Sequence, residues 1–399
     1  MRTPLSVLTA LTALAASVLV GATASPAYAQ PCSQPQAGAQ ISDNPWQHVV
    51  WDLSKMPADA TGKGILVGVL DSGVDDDHPQ LQGQVADFID PLKHQSKVDD
   101  LCGHGTAVAG LIAGKKRNDV AFRGLAFDAK ILSARVSEQV PGHDDEAPVT
   151  DAEMAAAVRW AVDKGAKVIN ISFVYVSAVG RDLFKKAIED AISRDVVIVA
   201  AVGNNNTAER KNPTPYPAAW PGVVGVAAIA SNGDLLPASG VGDFVDIAAP
   251  GKDVLVPKPI GGYGFDAGTS FASPLVAATA ALIFQRFPGI KAKEVIRRLL
   301  ATADPAPGGR RSEGYGAGLL NPVRAVTEVI DDAAPARARA LQAPTIDPVQ
   351  ARAAAEEARI REQALWFSAI GIVAALLAVA LMVALPAGIR RKWRPAGER

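Results

Sequence analysis

Ile65-Leu66-Val67-Gly68-Val69-Leu70-Asp71-Ser72-Gly73 decides how the chain is read. Six residues run without a polar interruption and stop at a carboxylate followed by a turn-forming Ser-Gly pair. A strand with one solvated face alternates apolar and polar residues, whereas an unbroken apolar run is a strand covered on both faces. Four more apolar-rich runs are read as strands of the same kind, at 130–136, 167–172, 196–201 and 222–226. Small-residue or amphipathic stretches separate them and predict helices over 106–113, 152–164, 183–194 and 273–287. Such alternation predicts an α/β fold of three layers, a mostly parallel central sheet flanked by helices. Functional residues of such a fold collect at the carboxyl ends of the strands.

The chain has 399 residues, 49% of them apolar, a formal net charge of −1 and a mean hydropathy of +0.14. Near-zero charge gives no drive toward nucleic acid, so no nucleic-acid partner is expected. The apolar surplus sits at the two ends. Residues 1–29 combine an early Arg2, an apolar run and Ala27-Tyr28-Ala29, the pattern of a cleaved signal peptide, with an uncleaved anchor or buried helix as the alternative. Residues 366–385 carry no charge and match the roughly 20 helical residues that cross a bilayer, which predicts one C-terminal transmembrane helix. Arg390, Arg391, Lys392 and Arg394 follow it, so the short basic tail 386–399 is expected in the cytoplasm and the rest outside, at the cell membrane. The remaining divisions are an N-terminal extension over 30–62 packed on the next domain, a catalytic domain over 63–330 and a Pro/Ala-rich stalk over 331–365. Outside the cytoplasm the only two cysteines, Cys32 and Cys102, are expected to pair, the alternative being two buried free thiols. Such a disulfide closes a loop of about 70 residues, worth roughly 4 kcal/mol in the chain-entropy model.

Polar breaks in this pattern carry the chemistry. Asp71 ends the first strand, where a carboxylate is a helix cap, a metal ligand or an orienter of another side chain. His104 stands between Gly103 and Gly105 at the mouth of a small-residue helix, so the helix start sets its imidazole. His48, His78, His94 and His143 lie in polar or turn-like contexts and read as surface or turn residues. Ser270, in Gly268-Thr269-Ser270-Phe271-Ala272-Ser273-Pro274, sits where a loop enters a helix, with Pro274 expected in the first turn. Capping alone explains a lone serine there; a nucleophile beside a backbone N–H suited to negative charge is the other reading. Asn204, just past the 196–201 strand, could offer a second such donor.

Asp, then His, then Ser is the chain order of the subtilisin form of the catalytic triad. The chain resembles the subtilase family of serine proteases in Asp71-Ser72-Gly73-Val74-Asp75 with His78-Pro79, in the His104 motif, and in Gly124-Leu125-Ala126 and Asn170-Ile171-Ser172. The resemblance continues through Gly203-Asn204, Ala249-Pro250-Gly251, the Ser270 motif and Gly316-Ala317-Gly318-Leu319-Leu320-Asn321. It implies a subtilisin-like fold and a serine endopeptidase acting on polypeptides. In it Ser270 attacks, His104 carries the proton, Asp71 orients His104, and Asn204 with the Ser270 N–H holds the oxyanion. The chain departs from the family after Ser172, where Phe173-Val174-Tyr175 replaces expected glycines. Ser172, Phe173 and Val174 thus read as a narrowed substrate cleft of restricted specificity. Residues 30–70 are too few for a usual folding propeptide plus the first strand, which implies a retained extension held by Cys32 and Cys102. Lys115-Lys116-Arg117-Asn118-Asp119 puts cations where many relatives hold calcium, so no metal and no cofactor is expected.

Taken together, the architecture resembles the mycosins, membrane-anchored subtilases associated with type VII (ESX) secretion. That implies residence on the outer face of the cytoplasmic membrane, processing of secreted substrates and stabilisation of the secretion membrane complex. Two alternatives stand beside it: a scaffold of that complex in which catalysis is dispensable, and a general surface quality-control protease. The carboxylates of Pro141-Gly142-His143-Asp144-Asp145-Glu146 either favour basic substrate residues or form a solvated loop. Comparing kcat/KM for peptides with and without basic residues near the scissile bond decides this; equal values discard the substrate role.

Overall fold

The apolar-rich runs become strands because helices cover both sides of them. In the computed structural model these are β1 (Leu66–Asp71), β3 (Lys130–Arg135), β4 (Val168–Ile171), β5 (Val197–Ala201) and β6 (Val223–Ile229), the last running three residues past its expected end. Two strands join that the runs do not mark, β2 (Val85–Ile89) and β7 (Ile247–Pro250). The seven form one sheet in the order β2-β3-β1-β4-β5-β6-β7, with every pairing parallel. Residues 37–92, 99–100, 102–137, 149–206, 213–307 and 312–330 are described. The chain divides into units Met1–Ala340 and Leu341–Arg399, and the described residues all lie in the first.

Strand alternation sorts the core into two layers. Val67, Val69, Val168, Val197, Val199, Val224 and Val226 face one apolar cluster, and Ile169, Ile171, Ile198, Ala200 and Ala227 face the other. The first holds α2 (His104–Ala113), α5 (Thr269–Arg286), α6 (Ala292–Ala301) and α7 (Pro322–Thr327). The second holds α3 (Asp151–Asp163) and α4 (Asp182–Ser193). Thr150 caps α3 through a reciprocal pair with Glu153, and Asp151 in turn accepts from the Leu183 and Phe184 N–H groups at the start of α4.

Helix α5 begins at Thr269, four residues before the expected start, so Pro274 lies inside it rather than in its first turn. A proline there has no N–H for the carbonyl four residues back, which is that of Ser270. The Ser172 hydroxyl, just past β4, donates to that carbonyl at 3.2 Å and supplies the bond that Pro274 cannot. The helix is tolerated in the core because this orphan acceptor is satisfied.

Described residues of the N-terminal stretch lie against the rest. The Trp46 indole, on the short helix α1 (Trp46–Val50), donates to the Lys252 and Asp253 carbonyls, and the Trp51 indole to that of Leu320 at 2.7 Å. Ala39 pairs with Tyr263 on an antiparallel hairpin of β8 (Val254–Pro257) and β9 (Tyr263–Asp266). The expected leader 1–29, stalk 331–365, membrane helix 366–385 and tail 386–399 lie outside the described residues. Among those described, no helix is long and apolar enough to cross a membrane.

Ile169 lies wholly buried in mid-sheet. Ile169→Ala is expected to cost about 2–5 kcal/mol of unfolding free energy, read as a lower urea midpoint at unchanged slope.

Candidate active site

Three strand or helix ends converge. Asp71 is the last residue of β1, His104 the first of α2, and Ser270 the second of α5. Strands β2 and β3 lie on one side of β1 and β4 to β7 on the other, so Asp71 stands where the sheet changes its winding direction.

Helix α2 approaches β1 closely enough to exclude a side chain. A β-carbon on Gly105 would strike the Gly73 carbonyl and come within 3.1 Å of the Asp71 β-carbon. With glycine there, His104 Nδ1 lies 2.7 Å from Asp71 Oδ1, which also accepts the Ser72 N–H at 2.8 Å. A carboxylate on Nδ1 fixes the proton there and leaves Nε2 as the acceptor nitrogen. The imidazole rests beside the ring of Phe271, the neighbour of Ser270, with centroids 5.2 Å apart.

Burial opposes a charge on His104, but the Asp71 carboxylate, through its charge and its hydrogen bond, outweighs it with help from Asp100 and Asp266. The imidazole therefore titrates above its ordinary value. Since the folded value exceeds the unfolded one, protonated His104 stabilises the fold below the unfolded pKa. That contribution fades as pH rises through the folded one.

Ser270 is buried at the first turn of α5, and its hydroxyl donates to the Ser172 carbonyl at 3.0 Å. The Ser172 side chain is turned beneath it, accepting from the Asn170 amide at 2.7 Å, so Ser172 presents backbone to Ser270. Asn204, exposed past β5, accepts the Thr269 N–H at 2.8 Å through Oδ1, which leaves its Nδ2 hydrogens for another acceptor. Gly268 is required beside it: at φ +145° it lets the chain turn into α5, and a β-carbon there would stand 3.0 Å from Asn204 Nδ2. Phe173 and Val174 are half-buried, and Tyr175 pairs through both backbone groups with Tyr216 at 2.8 Å. The structure thus brings Asp71 to His104 and Asn204 and Ser172 to the Thr269-Ser270 turn.

His78 departs from its surface or turn reading, being 1% exposed. Its Nδ1 accepts the Gln80 N–H and its Nε2 meets the Gly262 carbonyl at 3.2 Å, because the β8–β9 hairpin closes over it. Burial beside Phe122 and the charge of Arg123 push His48 down to about 3, so it too is no ordinary surface histidine. His94, His143 and the acidic loop 141–146 lie outside the described residues. Cys102 is described, and Cys32, its expected partner, is not. Arg117 forks onto Asp119 at 2.9 and 2.7 Å, and no group of three or more acidic, His or Cys side chains suited to a metal occurs among the described residues. Phe271 and Asp266, which the sequence reading leaves unassigned, adjoin the site; both flank Ser270 in sequence, the one available signal.

Residues 62–318 match the model of the Subtilase family, Peptidase S8. Mycosin-1 of Mycobacterium tuberculosis is 30% identical over 374 residues, covering 79% of this chain and 82% of that protein. The crystal structure of MycP1 from Mycobacterium smegmatis superposes with a TM-score of 0.65 at 26% identity, over 78% of this chain and 92% of that one. MycP3 protease from the type VII (ESX-3) secretion system gives 0.59 at 29% identity, over 76% and 100%.

An NMR titration of His104 is expected to give a midpoint above the ordinary value near 6.5, and Asp71→Asn to move it down. A midpoint unmoved by Asp71→Asn contradicts the electrostatic account.

Proposed function

The chain belongs to the subtilase family of serine endopeptidases, and on that premise we propose that Asp71, His104 and Ser270 are its catalytic triad. Its role is to cleave a narrow set of exported polypeptides at the outer face of the cytoplasmic membrane. The observation that carries the reading is the 2.7 Å contact of His104 Nδ1 with Asp71, which orients Nε2 as the base. Ser270 Oγ leaves the Ser172 carbonyl, attacks the scissile carbonyl and passes its proton to His104 Nε2. Asp71 stabilises the imidazolium. The oxyanion lies between Asn204 Nδ2 and the Ser270 N–H; the equivalent asparagine of subtilisin supplies about 2.7–4 kcal/mol. His104 then protonates the leaving amine, and water, activated by His104, releases the acyl group. No metal or cofactor takes part.

Narrow specificity rests on Phe173, Val174 and Tyr175, whose side chains occupy a segment that glycines would leave open. Processing of type VII secretion substrates and stabilisation of that membrane complex rest on the likeness to Mycosin-1 and to MycP3 of the ESX-3 system. Anchoring by 366–385, removal of 1–29, the retained extension 30–62 and the cytoplasmic tail rest on the sequence pattern. A Cys32–Cys102 disulfide rests on there being two cysteines, none of them free among the described residues.

Ser270→Ala in the purified full chain is expected to abolish peptide hydrolysis and labelling by a phosphonofluoridate while thermal unfolding stays unchanged. Normal turnover overturns the triad. The same variant in a deletion strain separates the roles: failed secretion makes cleavage obligatory, and restored secretion makes the chain a scaffold.

A further inference from the structure

Between β2 and α2 a second carboxylate, Asp100, is completely buried. Its Oδ1 accepts the Ser72 hydroxyl at 2.9 Å and the backbone N–H groups of Cys102 at 3.0 Å and Gly103 at 2.8 Å. Its Oδ2 accepts the Thr106 N–H at 2.8 Å and the Thr106 hydroxyl at 2.7 Å. Both hydroxyls also accept a backbone N–H, which ties the cluster to further backbone. Ser72 Oγ receives the Gly105 N–H at 3.0 Å, and Thr106 Oγ1 receives the Asp75 N–H at 2.9 Å. Asp100 thus accepts from three backbone N–H groups and two hydroxyls, and hydrogen bonds donated to a carboxylate favour its ionised form. These donors oppose the burial that pushes its pKa up.

The five bonds join two separate pieces. Ser72 follows Asp71 at the end of β1; Cys102, Gly103 and Thr106 flank His104 at the start of α2. The Asp71–His104 contact bridges the same two pieces, so the Asp100 cluster acts as a second strut beside it. We propose that Asp100 is a positioning residue, an ionised hub that holds the β1 terminus and the α2 start in the register that His104 needs against Asp71. It touches neither substrate nor nucleophile, and it rests on the triad reading.

The hub also acts at a distance. Three carboxylates raise the pKa of His104, those of Asp71, Asp100 and Asp266. The nearby cation Arg135 reaches the Asp99 carbonyl at 3.3 Å. Removing the charge of Asp100 should thus lower the acid limb of kcat/KM, which a purely structural role leaves in place.

The test uses the full-length enzyme and four variants. Ser270→Ala is the control for the triad: if it turns over normally, the triad reading fails whatever the others do. Ser72→Ala and Thr106→Val keep the Asp100 charge and remove one donor each, together with the acceptor of the Gly105 or the Asp75 N–H. They are expected to lower kcat by tenfold to about a hundredfold, the scale of ångström misplacement, with KM and the acid limb little changed and the melting temperature lowered by the orphaned N–H. Asp100→Asn turns an amide N–H2 onto N–H and O–H donors, and is expected to lower kcat further and shift the acid limb down. With Ser270→Ala inactive, wild-type kcat in both Ser72→Ala and Thr106→Val overturns the proposal even if Asp100→Asn does not fold. A folded Asp100→Asn with an unmoved acid limb overturns the electrostatic part.

Discussion

The close approach of α2 to the end of β1 is the constraint on which the site depends. Backbone meets backbone at Gly105 and Gly73, with no room for a β-carbon between them. Only at that spacing can a short carboxylate reach the imidazole at 2.7 Å, and only there does the Asp71 charge outweigh the burial that opposes protonation. A single methyl at Gly105 would push apart the two elements whose contact orients the base.

Ser270 is held by α5, on the same face of the sheet as α2. Helix α5 is buried from Thr269 through Phe284, so its rotation and translation are set by the core rather than by solvent. Pro274 removes one internal bond of that helix, and Ser172, just past β4, replaces it, which ties Ser270 to the strand end. Precision in such sites comes from rigid elements and supporting hydrogen bonds. Here each candidate residue stands on a strand end or a helix start, and Asn204 is fixed by Thr269 of the same turn.

How much was legible depended on burial. Strands β1, β3, β4, β5 and β6 are covered on both faces and so announce themselves as apolar-rich runs, interrupted in β3 by Ser133 and in β4 by Asn170. Strand β2 is half-exposed and contains Asp87, and β7 has four residues and ends in Pro250, so neither carries that signature. Helix α6 has a readable stripe in Ala292, Val295 and Leu299, but it lies beyond the strand-end motifs that direct attention. His78 misleads for a different reason. Asp75, Asp76, Asp77 and Pro79 around it read as a solvated turn, and a hairpin nearly two hundred residues later buries it.

The sequence alone determined the α/β class, the order Asp71, His104, Ser270, and the family resemblance, because these depend on residue type and on periodicity along one chain. Tertiary structure decided what depends on two distant segments meeting. It brought Asp71 to His104, started α5 ahead of Pro274 and let Ser172 repair the helix. It also turned Asp100, an unremarked carboxylate four positions before His104, into a buried anion with five donors. Periodicity reports which face of an element is covered; it carries no information about what covers it, and that second fact sets hydrogen-bond partners and pKa.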